Sequence, residues 1–189
     1  MTQKLNVIIG STRPGRKGPA VARWFAEFAR GKQDFEVELV DLAEFGLPLL
    51  DEAAHPSLQK YEHEHTRRWS RSVASADAFV FVTPEYDFFP PAALVNAVQT
   101  VLKEWARKPA GIVCYGGVSG GLRSAQQLRL LLSSVNVHAV SQMVPLPFFA
   151  KLLDDDERFQ PTAQIEEGAT AMLAELAAWS KALKTIRAA

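Results

Sequence analysis

The chain has 189 residues, 48% of them hydrophobic and 22% charged, with 21 basic and 21 acidic side chains and a pI near 6.9. At ~100–200 residues per domain this length predicts one domain over residues 1–189, and the composition excludes a disordered or collagen-like chain. The balanced charge argues against nucleic acid or anionic membrane as partners. The single cysteine, Cys114, excludes a disulfide framework and fits a cytoplasmic protein, and no apolar run approaches the ~18 residues of a membrane span.

Leu5–Gly10 (LNVIIG) is a short apolar strand ending in glycine, and Val21, Trp24, Phe25 and Phe28 predict a helix over Pro19–Arg30. Phe35–Asp41 alternates apolar and acidic residues as a strand does, and a long loop through Gly46, Pro48 and Pro56 follows. Leu58, Tyr61, His65, Trp69 and Val73 then step along one helical face. Ala78–Thr83 is a β-branched and aromatic run stopped by Pro84, which predicts a buried strand. A helix carrying Leu94, Val98, Val101, Leu102 and Trp105 leads to a strand at Gly111–Tyr115, and Leu122 to Val135 forms the helix behind it. Val137–Val144 is a fifth strand, and the last helix carries Ile165, Ala169, Met172, Leu173, Leu176, Leu183 and Ile186. Strands alternating with helices predict an α/β sandwich with a parallel sheet covered on both faces. Such sheets bind ligands beyond the carboxyl ends of their strands, so the loops there are the candidate site.

Three loops stand out. Gly10-Ser11-Thr12-Arg13-Pro14-Gly15-Arg16-Lys17-Gly18, between the first strand and helix, offers backbone N–H groups, hydroxyls and two arginines suited to a phosphate. It is neither a G-x-G-x-x-G fingerprint nor a Walker A loop, because Arg16 and Lys17 stand where the latter needs Lys and a hydroxyl. Thr83-Pro84-Glu85-Tyr86-Asp87-Phe88-Phe89-Pro90-Pro91 is stiffened by prolines. Its phenylalanines suit either a planar ring or a seal over the core or a subunit contact. Tyr115-Gly116-Gly117-Val118-Ser119-Gly120-Gly121 lets backbone approach a ligand closely. It also matches G-x-S-x-G, but only His138 follows Ser119 and no acidic residue lies between them, so the hydrolase order of Ser, acid and His fails.

Together, VIIGSTRPGRKGPAVARW, TPEYDFFPPAALVNAV and YGGVSGGLRS resemble the NADPH-dependent FMN reductase family, flavodoxin-like proteins that include quinone, azo-dye and chromate reductases. The resemblance, over roughly Leu5 to Val144, implies a flavodoxin-like three-layer sandwich with a five-stranded parallel sheet in the order 2-1-3-4-5. It implies FMN and NAD(P)H as cofactors and a small-molecule acceptor such as a quinone, an azo compound or free flavin. It also implies a homodimer or homotetramer, with the aromatics Phe88, Phe89 and Trp105 flanking the ligand edge. FMN phosphate is expected at Ser11, Thr12, Arg13, Arg16, Lys17, Gly18 and Pro19. The isoalloxazine is expected between Pro84, Glu85, Tyr86 and Asp87 on one side and Tyr115, Gly116, Gly117, Ser119 and Gly120 on the other. The Glu85–Asp87 N–H groups would fix the ring, and the helix start at Gly117–Gly121 would stabilise negative charge near N1 and O2. No side-chain acid or base is required. Two departures stand out: Asp87 replaces the last residue of P-E-Y-N, and Val95 and Gln99 depart from A-L-K-N-A-I-D. An ionised Asp87 beside the ring would lower the flavin potential, whereas burial would neutralise it and a solvent-facing carboxylate would have little effect.

Among the remaining candidates, Cys114 reads as an inert core thiol. His63 and His65 diverge if both sit on a helix, which argues against a metal site. Asp154–Glu157 reads as a solvated acidic turn, Trp24, Trp69 and Trp179 as core, and Trp105 as a side chain available to a partner. The competing class is a non-enzymatic flavodoxin-type electron carrier or flavin-binding sensor, and a carrier's docking surface is at odds with zero net charge.

Overall fold

The computed structural model describes residues 3–188. Five parallel strands, β1 (Gln3–Ile9), β2 (Phe35–Asp41), β3 (Ala78–Pro84), β4 (Lys108–Tyr115) and β5 (Val137–Leu146), form one sheet in the order β2-β1-β3-β4-β5. β4 and β5 extend beyond the runs expected for them, because their partners carry the ladder into Lys108 and Leu146.

Alternation along the strands divides the interior in two. Leu5, Val7 and Ile9 of β1, Val80 and Val82 of β3, and Val113 and Tyr115 of β4 face α1 (Gly18–Lys32) and α6 (Ala163–Ala188). Ile8, Phe79, Phe81, Ile112 and Cys114 face α3 (Glu64–Ser75), α4 (Ala92–Thr100) and α5 (Leu122–Ser134). Every residue of β3 and β4 is buried, as a central strand covered on both faces requires.

Several expected elements are drawn differently. The loop after β2 begins with a short helix, α2 (Leu42–Phe45), capped by the Asp41 carboxylate. Leu58 and Tyr61 lie outside α3: Pro56 opens a 3-10 turn, and Gln59 ends it in the left-handed region. The Glu52 carboxylate then accepts the N–H groups of Glu62 and His63 and starts the helix after them. α4 stops at Thr100 because the carbonyls of Ala97 and Val98, unpaired at a helix end, receive the indole N–H groups of Trp69 at 2.7 Å and Trp105 at 3.1 Å. Trp105 is therefore fully buried against Trp69 and Phe79 and is unavailable to a partner. Trp179, expected in the core, is exposed and packs on the His138 ring.

His63 and His65 do not diverge. His63 precedes the first residue of α3, so the two rings stack at 5.2 Å between centroids, with Asp51 3.1 Å from His65 Nε2. Asp154–Glu157 is more than a solvated turn: Leu153 bridges Phe159, and Asp154 accepts the N–H groups of Asp156 and Arg158. No helix among the described residues is long and apolar enough to cross a membrane.

Candidate functional site

The three loops emerge side by side at the carboxyl ends of β1, β3 and β4, adjacent strands of the sheet. Each is tied to the others. Ser11, buried, shares a 2.7 Å hydroxyl hydrogen bond with Tyr86, joining the first loop to the second. Gly18, the first residue of α1, lies against Tyr115: a Cβ there would fall 2.6 Å from the phenol oxygen, so a larger residue would have to displace the Tyr115 side chain that joins the first loop to the third.

The second and third loops are joined by Glu85. Its side chain is 6% exposed, and its carboxylate accepts from Ser119 Oγ at 2.9 Å, from the Arg123 backbone N–H at 3.1 Å and from Arg123 Nε at 2.7 Å. Burial pushes the Glu85 carboxyl up, but the hydrogen bonds from Arg123 and Ser119 and the Arg123 charge outweigh it and hold the group below the usual carboxylate range. The expected free helix start therefore already holds an anion of the protein's own.

The hairpin tip of the second loop is equally defined. Tyr86 and Phe89 exchange two 2.9 Å backbone hydrogen bonds around Asp87 and Phe88, whose φ angles of 47° and 75° form a type I′ turn. Asp is well suited to its position, whereas an aromatic residue in the left-handed region is costly. The Arg123 guanidinium, 4.0 Å from the Phe88 ring centroid, offsets part of that cost. Asp87 itself is exposed. The Glu85 N–H donates to the Tyr115 carbonyl and the Tyr86 N–H to that of Phe89, so of the three N–H groups expected to fix a ring only that of Asp87 is not spent on these loop contacts.

The basic residues of the first loop divide. Arg16 is committed inward, donating from Nη1 at 2.9 Å and Nη2 at 2.6 Å to Asp41 and also to the Ser11 carbonyl. Lys17 is paired with Glu157. Both cations of the expected phosphate turn are therefore paired with carboxylates of the chain. Arg13 makes no ion pair among the described residues, and its guanidinium lies 5.6 Å from the Tyr86 ring centroid. Thr12 is exposed beside it and lines a cavity of about 240 Å³ with Leu42, Gly46 and Ala93. Pro19, in the first turn of α1, removes one N–H, and Pro84 closes β3. Gly116 packs against the Gly121 N–H and Glu85 Cβ, Gly117 is exposed with open space where a side chain would stand, and Gly120 is pressed against Pro147.

Arg123 and Asp41 are absent from the expected site. Their only signals are an arginine just after the glycine-rich loop and the last acid of a strand that alternates apolar and acidic residues. Cys114 is fully buried and its thiol is pushed up to about 12 by burial and the Glu85 charge, so it is inert. A larger cavity of about 640 Å³ between β5 and α6 is lined mainly by apolar side chains such as Met143, Leu152 and Ile165 and contains none of the loop donors just described.

A parallel sheet in this order, with a hydroxyl- and arginine-bearing loop after β1 and an open glycine ledge after β4, defines the flavodoxin-like class of flavin-nucleotide proteins. The donors fit a phosphate, and the bare backbone at Gly117 fits a flat ring. The chain belongs to the NADPH-dependent FMN reductase family, which matches residues 3–151. It is 38% identical over 148 residues to an NAD(P)H-dependent FMN reductase of Schizosaccharomyces pombe, covering 77% of this chain and 74% of the relative. It is 28% identical over 170 residues to an FMN-dependent NADPH-azoreductase of Staphylococcus saprophyticus, covering 84% and 88%. Among solved structures, the flavoenzyme NAD(P)H:(acceptor) oxidoreductase FerB of Paracoccus denitrificans aligns with a TM-score of 0.65 at 20% identity over 97% of this chain and 98% of that one, a likeness of fold. The protein is an FMN-dependent oxidoreductase that uses NAD(P)H.

Proposed function

We propose that this chain, folding as one unit around its single sheet, holds FMN across the three loops and reduces a planar conjugated acceptor such as a quinone, an azo compound or free flavin. The observation that carries this reading is the mutual locking of the loops beside Arg13, a cation with no ion pair among the described residues. When bound, FMN supplies the chemistry by taking a hydride from NAD(P)H and passing electrons on. The protein binds and orients. Arg13, the exposed Thr12 hydroxyl and the start of α1 hold the phosphate, while Ser11, Arg16 and Lys17 shape the loop through Tyr86, Asp41 and Glu157. Pro84–Asp87 and Tyr115–Gly120 flank the ring, and the exposed Phe88, Phe89, Val118 and Phe148 give the surrounding surface an apolar character that suits a flat acceptor.

The same reading includes a homodimer or homotetramer. Phe89, Pro90, Val95, Leu130 and Leu131 line an apolar groove of about 440 Å³ between the second loop and α5, and Leu130 is 71% exposed. A lone reduced cysteine supports a cytoplasmic location. The test is an absorption spectrum of the purified protein followed by NAD(P)H oxidation with a quinone and with an azo dye. Flavin bands near ~450 nm and steady turnover are expected. Bound flavin without turnover would favour an electron carrier instead.

A further inference from the structure

Glu85 in the second loop and Arg123 in the first turn of α5, just after the third loop, form a charge pair beside the surfaces assigned to the ring. The Glu85 side chain is 6% exposed against 48% for Arg123, so the anion is inside and its counter-charge lies at the rim. The carboxylate takes both the Ser119 hydroxyl and the Arg123 N–H, and the guanidinium is held between it and the Phe88 ring. A buried charge acts through low dielectric and is little screened, whereas its half-exposed partner is screened more.

We infer that Glu85 and Arg123 are positioning residues that set the reduction potential of the bound flavin, Glu85 holding it down and Arg123 holding it up. Two-electron reduction places negative charge on the N1–O2 side of a flavin; placed as proposed, that side would meet an internal anion instead of an unoccupied helix start. Glu85→Gln keeps the shape and an oxygen acceptor for Ser119 but removes the charge and leaves Arg123 unbalanced. Arg123→Met keeps the aliphatic packing on Phe88 and leaves Glu85 unbalanced.

The inference rests on the proposed placement of the ring against these loops. The experiment is a redox titration of the FMN-loaded protein together with the affinity for oxidised FMN, in the parent, E85Q, R123M and the double variant. E85Q is expected to raise the preference for reduced over oxidised FMN at least tenfold, equivalent to about 30 mV for a two-electron couple. R123M is expected to lower it at least threefold, and the uncharged double variant to return within twofold of the parent. A loop loosened by mutation would have no reason to shift the two single variants in opposite directions. Shifts of the same sign, or ratios within twofold of the parent in both single variants, overturn the inference. The placement of the cofactor fails separately, if Arg13→Ala leaves FMN affinity unchanged.

Discussion

The guanidinium of Arg16 meets the carboxylate of Asp41 side-on, Nη1 at 2.9 Å and Nη2 at 2.6 Å, with each side chain 18% exposed. Because Nη1 also reaches the Ser11 carbonyl at 2.6 Å and Asp41 caps α2, this pair binds the loop after β1 to the end of β2. Arg16→Ala is expected to cost about 2 kcal/mol by leaving a partly buried carboxylate unpaired. At ~2–4 °C per kcal/mol for a chain this long, the melting temperature of the flavin-free protein should fall by roughly 4–8 °C. An unchanged melting curve would show that the pair is dispensable.

Arg13 should behave in the opposite way. It has no carboxylate partner among the described residues and is exposed, so Arg13→Ala should leave the melting temperature within about a degree of the parent. FMN affinity should nevertheless fall by about 1.5–3 kcal/mol, the usual worth of a hydrogen bond to a charged group, measured by quenching of flavin fluorescence.

Asp87 stands at the tip of the hairpin, exposed, with φ at 47°. Its charge is therefore solvated, and removing it in Asp87→Asn should raise the flavin midpoint potential by less than ~20 mV, the equivalent of about 1 kcal/mol for one charge at contact distance in water. Asn tolerates the left-handed region as well as Asp does, so stability should be unchanged, whereas Asp87→Ala should cost about 1 kcal/mol in a urea melt. A potential shift from Asp87→Asn larger than that from Glu85→Gln would make Asp87 the dominant charge at the ring.

Lys108 is 6% exposed and donates to the Val73 and Ala74 carbonyls at the end of α3. Burial, reinforced by nearby Arg187 and opposed by Asp77 and Glu104, pushes its ammonium from 10.5 down to about 8. Between those values the unfolded chain holds a proton that the folded chain has released, so stability rises with pH across the window and is lost as pH falls back towards 8. Urea melts from pH 7 to 10 should show the parent gaining on Lys108→Met by up to ~1.4 kcal/mol per pH unit above pH 8, and no relative change below it. Parallel curves would mean that Lys108 keeps an ordinary affinity for its proton.

Leu130, 71% exposed beside the Phe89 groove, is a sensitive test of assembly. A charge there in Leu130→Glu should convert an oligomeric parent to monomer by light scattering at micromolar concentration, with secondary structure intact. A parent that is itself monomeric would remove the oligomer from the proposal.

The alternation of parallel strands with helices, and the three glycine- and proline-marked loops that meet at one edge of the sheet, were legible in the amino-acid sequence, and the strand order followed from its resemblance to a family. Runs such as Ala78–Thr83 are buried on both faces, and that burial leaves a continuous apolar signature whatever packs above or below. Glycine and proline likewise mark their loops through backbone sterics that need no partner. Only the tertiary structure decided what the polar side chains do. Arg16 and Arg13 read alike in the sequence, and the arrival of Asp41 from β2 beside β1 turned one inward and left the other outside. Glu85 and Arg123 are 38 residues apart and carry no shared signal, and the pairing of β3 with β4 brings them together. Trp105 and Tyr61 lie off the helical stripes that their spacing predicts, bonded instead to the Val98 carbonyl and the buried Glu104 carboxylate. Apolar burial is written into a strand residue by residue, but a long polar side chain goes to whichever charge or unpaired backbone group the fold brings within a few ångströms.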